Sequence, residues 1–306
     1  MNVNEWALLT FTILGQLAAG ALLVLMVVRA YATAKAGLKE ADRMTDGPLF
    51  IVVPIMGLAL LASLLHLNNL GNIFKAVPNL GSSWLSREVV ISVAFAIVAA
   101  LFTLLQWRKI GSSGMRTLAG WITAVIGLVQ TYAMGMVYMI RSQPAWNTLA
   151  TPITFFVTSL LLGVLTVAVA LLVNYNANLK KDSQFAEKQL ELLRGALQGI
   201  AISAIVLLGI EFLVLPVYLA YLATQGTAAL ESLKMMTGTY GVALVIRLLF
   251  VFVGVGLLAA YLYRDASSAG KEKAMMSLVY SAFVLVLAGE VMGRFLFYAT
   301  HVKIGL

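Results

Sequence analysis

The stretch LLHLNNLGNIFKAVPNLGSSWLSRE, residues 64–88, separates two long apolar runs in a chain that is apolar almost throughout. It contains a histidine, His66, at the end of the first run and a carboxylate, Glu88, at the start of the second. Ionisable side chains at both ends of a short connection between apolar runs mark a place where proton chemistry can occur. The stretch is therefore the first candidate site.

The apolar runs on either side of this connection belong to a larger series. A membrane-spanning helix needs about 20 mostly apolar residues. The chain is 61% hydrophobic and 11% charged, against about 25% charged residues in soluble proteins, so too little polar sequence remains to cover a soluble core. We predict a single all-α integral membrane domain over residues 1–306 with eight transmembrane helices, at about 5–30, 48–68, 88–107, 116–139, 151–173, 194–224, 240–263 and 274–299.

Lysine and arginine are distributed unevenly between the connections. The first, third, fifth and seventh connections, with their helix ends, carry 14 of these residues, and the second, fourth and sixth carry 4. Cytoplasmic loops are enriched in Lys and Arg, so the odd connections are predicted to be cytoplasmic and both termini to lie on the outer, periplasmic side. The net charge of +8 then reflects membrane topology, and no nucleic-acid partner is expected.

Ionisable residues inside the predicted spans are concentrated toward the outer side. Arg247, Glu290 and Arg294 fall in the outer halves of the last two spans, while Glu211 and the polar but uncharged Gln16 fall near mid-span. Charges inside a membrane are costly and are usually paired and functional. No ionisable residue is expected at comparable depth in the inner half, so the sequence predicts a polar pocket in the outer leaflet.

Each of these side chains also has a purely structural interpretation. His66 can cap the C-terminus of its helix, where the helix dipole favours a cation, or can accept a proton from a ligand, since its ordinary pKa is about 6.5. Glu290 and Arg294 lie four residues apart and can form an ion pair on one helix face, with either a structural or a site role. Arg247 can serve simply to neutralise Glu211 or Glu290.

Aromatic residues near the outer surface allow two interpretations as well. Trp84, Trp146, Tyr132 and Tyr138 are typical of the aromatic belt at a membrane interface. Alternatively, Trp84 and Tyr138 can form, with Phe74, an apolar slot for a ligand headgroup.

Residue counts also bear on cofactors. The chain has no cysteine, which argues against thiolate metal sites and iron–sulfur clusters. Its only histidines, His66 and His301, are both predicted near the outer surface, whereas a membrane-bound b-type haem usually needs two axial histidines that face each other. No haem, no iron–sulfur cluster and no metal are expected in this chain.

Several motifs resemble the membrane anchor subunits of bacterial dimethyl sulfoxide reductases, within the broader group of quinol-oxidising anchors of molybdoenzymes. The resemblance covers nearly the whole chain, and its most specific parts are the His-loop-Glu stretch and the last motif in the series. The motifs are TILGQLAAG (12–20), LLHL (64–67), NLGSSWLSRE (79–88), QPAWNTLATPITFF (143–156), TYGVALVIRLL (239–249) and AGEVMGRFLFY (288–298).

The resemblance implies a function in anaerobic respiration. Such anchors have eight helices and no redox centre, lie in the bacterial inner membrane, bind menaquinol, and pass its electrons to an iron–sulfur subunit that feeds a molybdopterin catalytic subunit in a heterotrimer. His66 matches the quinol-site histidine of the family and Glu88 the acidic residue beside it. The chain departs from the family after the histidine, where HLG followed by a proline is replaced by Asn68, Asn69 and Leu70.

The residue-level prediction and the resemblance converge on one outer site for menaquinol. His66 and Glu88 are the expected catalytic residues, because quinol oxidation releases two protons that need acceptors. A secondary transporter with an outward-biased polar pocket, or a purely structural anchor, remains the alternative. The residues expected to bind the quinol are His66, Trp84, Arg87, Glu88, Tyr138, Arg247, Glu290 and Arg294.

Overall fold

A computed structural model describes residues 3–65, 78–179, 186–265 and 272–304. These ranges contain no strand and include eight helical segments long and apolar enough to cross a membrane, which confirms the predicted all-α membrane class. The helices are α1 (Val3–Ala36), α2 (Leu38–Leu49), α3 (Val52–Leu65), α4 (Trp84–Arg108), α5 (Ser113–Val137), α6 (Ala150–Leu179), α7 (Ala186–Thr224), α8 (Thr227–Lys234), α9 (Gly241–Asp265) and α10 (Glu272–Ala299), with a π-helical turn at Met235–Thr239.

The second predicted span is formed in the structure by two helices instead of one. The apolar helix α3 is preceded by α2, whose sequence LKEADRMTDGPL is polar on one face and buries Ala41, Met44 and Leu49 on the other. A turn at Phe50 separates the two helices. Hydropathy detects the apolar α3 but gives little signal for α2, because half of the residues of α2 are polar.

The centre of the bundle is the crossing of α1 and α6, the two most deeply buried spans. Gly20 of α1 and Gly163 of α6 face each other so closely that a Cβ at either position would clash with the opposing backbone. Beside them, the Ser159 hydroxyl donates to the backbone carbonyl of Gln16 at 2.8 Å. Small residues at such crossings let membrane helices approach closely, and this contact fixes α1 against α6.

Replacing Gly163 by valine is expected to impair folding, because the new side chain would force α1 and α6 apart. Overpacking costs typically about 1–3 kcal/mol. The fraction of protein that elutes as a single species in mild detergent should fall for Gly163→Val. The control is Gly57→Val, since a Cβ at Gly57 in α3 meets nothing within 4 Å. Equal losses from both variants would contradict this account of the crossing.

Both described chain ends lie at the same end of the bundle, which we call the termini end. Trp6 of α1 stacks on Phe295 of α10 with ring centroids 6.3 Å apart. The backbone N–H of Ile304 donates to the Ser142 carbonyl at 2.9 Å. The connection 138–149 therefore lies at this end together with the two ends of the chain.

An ion cluster holds the opposite end, which we call the α2 end. Arg29 lies 2.5 Å from Asp42 and 3.7 Å from Asp46, and Lys109 lies 2.7 and 2.6 Å from the same two carboxylates. Buried charged residues therefore occur at the α2 end as well as among the predicted site residues. Arg29 is buried about two turns before α1 ends, because α2 folds back to supply its counter-charges.

Candidate functional site

The first turn of α4 orients two neighbouring charged residues in opposite directions. Ser83 caps the helix, its hydroxyl accepting from the Ser86 N–H at 3.3 Å. Arg87 turns back to donate to two backbone carbonyls of the preceding turn, each at 2.8 Å, and lies 4.4 Å over the Trp84 ring. Glu88 therefore points away from Arg87 and into the bundle.

Glu88 is a buried carboxylate with spare bonding capacity. It is 4% exposed, and its Oε1 has no hydrogen-bond partner among the described residues. The hydroxyls of Tyr138 and Tyr298 are close enough to interact with it electrostatically. Glu88 therefore offers a free acceptor oxygen to the hydroxyl of a bound ligand.

The two tyrosines next to Glu88 form a hydrogen-bonded pair. The hydroxyls of Tyr138 and Tyr298 lie 2.6 Å apart and join the end of α5 to the end of α10. Burial raises the pKa of Tyr138 well above its ordinary value, and the neighbouring Tyr298 and Glu88 raise it further. Tyr138 therefore keeps its proton at neutral pH and remains available as a donor.

Trp146 is also part of this buried aromatic cluster. Its ring stacks on Phe297 and His301 with centroids 5.1 and 4.3 Å apart, and its indole N–H donates to the Phe297 carbonyl at 2.9 Å. The interpretation of Tyr138 and Trp146 as interface-belt residues is therefore wrong, because both are buried.

Tyr132 and Trp84 lie outside this cluster. Tyr132 is 42% exposed and packs edge-to-face with Trp84, with centroids 5.6 Å apart. This position matches the belt interpretation for both residues.

Arg294 is buried inside the bundle, where its guanidinium has a polar neighbour and two aromatic neighbours, Phe155 and Phe297. It donates to the Gln16 side-chain oxygen at 2.9 Å and lies 3.7 Å over the Phe155 ring. The predicted direct ion pair between Arg294 and Glu290 is not formed. Although the two residues are four positions apart, Arg294 turns toward α1 and α6, where Gln16 and Phe155 hold it.

A second polar group lies between α6, α7, α9 and α10. Arg247 forms an ion pair with Glu211 and lies 3.9 Å from Glu290. Thr158 donates to the other oxygen of Glu290 at 2.5 Å. Arg247 thus neutralises both carboxylates at once. With Arg294, these residues line an open cleft.

The predicted site residues therefore fall into two groups instead of one. Trp84, Arg87 and Glu88 belong to the start of α4, with Tyr138 beside Glu88 on the inside. Arg247, Glu290 and Arg294 line the cleft on the other side of the bundle, and Arg294 interacts electrostatically with Tyr138 and Tyr298 between the two groups. His66 and Phe74 lie outside the described residues.

Some residues of the site were not singled out from the sequence. Thr151, Thr154 and Thr158 line the cleft from one face of α6, and their spacing of three and four residues in an apolar helix was the signal that could have revealed them. Tyr298 gave no such signal, since a tyrosine near the end of a span is typical of the interface belt. In the described parts of the chain, no group of three or more His, Cys, Asp or Glu residues is placed to hold a metal.

Comparison with known proteins gives full-length matches. Residues 1–300 match the family model described as DMSO reductase anchor subunit (DmsC). The C subunit of anaerobic dimethyl sulfoxide reductase from Escherichia coli K12 is 29% identical over 311 residues, covering 99% of this sequence and 97% of that protein. The YnfH subunit of an anaerobic dimethyl sulfoxide reductase from the same strain is 26% identical over 99% of this sequence and 97% of its own length. The C subunit from Haemophilus influenzae Rd is also 26% identical, over 100% and 98%.

Proposed function

The chain belongs to the family of dimethyl sulfoxide reductase anchor subunits, and from this premise we propose that it oxidises menaquinol at its termini end. It is a multi-pass protein of the bacterial inner membrane. As an anchor subunit, it holds the other subunits of a reductase complex at the membrane. We propose that those subunits are an iron–sulfur protein, which receives the quinol electrons, and a molybdopterin protein, which reduces the terminal acceptor.

The observation that carries this proposal is the buried carboxylate of Glu88, which has a free acceptor oxygen and lies within electrostatic range of the Tyr138–Tyr298 pair. Oxidation of a quinol releases two protons and two electrons, so the site needs a proton acceptor within reach of the headgroup. Glu88 has a free acceptor oxygen, and Tyr138 can donate to a quinone oxygen. His66, which resembles the quinol-site histidine of the family, is proposed as the first proton acceptor.

The orientation of the complex is proposed from the charge distribution. The ends of α1 and α4 lie together at the α2 end. The connections that follow these two helices carry many of the Lys and Arg residues. The positive-inside rule then assigns the α2 end to the cytoplasm and the termini end to the periplasm. Quinol protons would be released on the periplasmic side.

The electrons must leave the chain directly. Because it contains no cysteine, it cannot supply thiolate ligands for a cluster of its own. We propose that the iron–sulfur subunit docks over the termini end, across the connection before α4 and the connection 138–149, within reach of a headgroup held near Glu88.

Titration of the purified complex with a menaquinol analogue tests this function. The analogue should inhibit quinol-driven reduction of dimethyl sulfoxide in a saturable way and leave reduction driven by an artificial dye unchanged. Dye electrons enter the partner subunits directly, so only the anchor step is blocked. Equal inhibition of both reactions, or of neither, would favour a structural anchor or a transporter.

A further expectation concerns energy conservation. If quinol protons are released and the protons for oxide reduction are taken up on the same side, no charge crosses the bilayer. A crossing charge would store about 2.3 kcal/mol per 100 mV. Sealed vesicles containing the complex should therefore turn over quinol with no signal from a potential-sensitive dye. A turnover-dependent potential that an uncoupler abolishes would refute the one-sided arrangement.

A further inference from the structure

The cleft between α6, α7, α9 and α10 is separate from the surroundings of Glu88. Neither Glu88 nor Tyr138 lines it, and quinol oxidation beside Glu88 does not require it. It is open on one side, so that a ligand can enter it from outside the helix bundle. Its role therefore needs an explanation of its own.

Four buried atoms of the lining residues have no hydrogen-bond partner among the described residues. They are Oε2 of Glu211, Oε1 of Glu290, Nε of Arg247 and Nε of Arg294. The side chain of Glu211 is 4% exposed and that of Glu290 is 2% exposed. Buried polar groups in native proteins nearly always have partners, so two spare acceptors and two spare donors at one cleft indicate a ligand with both kinds of group.

The charges of the lining exclude an ionic ligand. Two carboxylates and two guanidinium groups balance each other, so an anion would meet Glu211 and Glu290 while a cation would meet Arg247 and Arg294. An unpaired ion in such a site is costly. The rest of the lining is mainly apolar, with Val214, Leu215, Leu244 and Leu296 among its members. The ligand is therefore a neutral amphiphile with a polar head and an apolar body.

We propose that this cleft binds a second isoprenoid quinol, in addition to the one oxidised beside Glu88. A quinol hydroxyl donates to Glu211 or Glu290, and its oxygen accepts from the free Nε–H of an arginine. The apolar ring and tail lie against α7 and α9. The proposal rests on the proposed function, because both sites draw on the same quinone pool.

Two substitutions on α7 separate the cleft from the lipid-facing surface. Val214 lines the cleft, and Val214→Trp should fill part of it without removing a charged residue. Val217 does not line the cleft and is 69% exposed, so Val217→Trp places the same ring outside it. Both variants should assemble with the partner subunits and retain dye-driven activity, which shows that they are folded.

The test uses the complete complex in detergent and a photoreactive azido-naphthoquinone with a short isoprenoid tail. In the wild type, labelled peptides should include the segments around Val214 and Glu290. In Val214→Trp this labelling should fall at least about tenfold, which corresponds to a tenfold change in affinity, while Val217→Trp should keep it. Excess menaquinone should compete with the label and excess phosphatidylglycerol should not.

Three results would overturn the proposal. They are the absence of label at the cleft in the wild type, an equal loss in Val214→Trp and Val217→Trp, and competition by phosphatidylglycerol, which would make the cleft a lipid site. Glu88→Gln separates this proposal from the proposed function. It should lower quinol-driven turnover about 100-fold and leave cleft labelling intact, whereas a failure of quinol oxidation in the wild type would leave the labelling result unaffected.

Discussion

Replacing Glu88 by glutamine is expected to lower quinol-driven turnover of the complex by about 100-fold, because general base catalysis typically contributes about 10²–10⁴ to the rate. Glutamine has nearly the same shape as glutamate and fits the same buried space, but its amide cannot accept the quinol proton. The measurement compares quinol-driven and dye-driven reduction of dimethyl sulfoxide by the same preparation. Dye-driven activity should stay at the wild-type level.

A matched control is Glu231→Gln. Glu231 also lies on the side of the bundle near the termini, in α8, but it is 54% exposed and pairs with Lys234 on the surface. It should retain full quinol-driven turnover. Unchanged turnover in Glu88→Gln would show that Glu88 is not the proton acceptor, and His66→Ala in the same assay would then decide whether the histidine acts alone. Loss of turnover in both variants would support a shared path for protons.

The fold class could be predicted from hydropathy because lipid imposes a simple rule on the sequence. A span must be at least about 20 residues long and apolar, and α4, α5 and α6 meet this rule. The polar helix α2 does not. Its burial depends on Arg29, Lys109 and Gln106, which come from other helices and supply partners for Asp42 and Asp46. Such contacts depend on helix arrangement, which hydropathy does not encode.

The candidate site was predicted only in part for the same reason. The position of a residue along a span gives its depth in the membrane. Arg247, Glu290 and Arg294 lie deep enough that their charges were expected to be buried among partners in the protein. Depth along a span carries no information on which neighbouring helix a side chain faces. Glu290 and Arg294 were therefore expected to pair, whereas Arg294 turns to Gln16 of α1. Only helix packing shows that the cleft and Glu88 lie on different sides of Arg294.

The charges around Arg247 are coupled because one guanidinium serves two carboxylates. It pairs with Glu211 of α7 and lies 3.9 Å from Glu290 of α10, so it holds three helices at once. Removing one partner of a buried pair leaves an uncompensated charge, at a cost of about 3–5 kcal/mol. In Arg247 variants two carboxylates lose their counter-charge together. Variants at Arg247 should therefore be among the most destabilising in the described part of the chain.

Replacing Arg247 by methionine should accordingly lower the free energy of unfolding by about 3–5 kcal/mol. The yield of folded protein should fall sharply as a result. Methionine matches the arginine stem in length and leaves only the charge missing. The measurement is thermal denaturation in detergent, monitored by loss of monodisperse protein. Adding Glu211→Leu to Arg247→Met removes one of the two orphaned carboxylates and should restore part of the stability, since apolar replacements of buried pairs are often neutral. If the double variant is no more stable than Arg247→Met alone, packing rather than charge explains the loss.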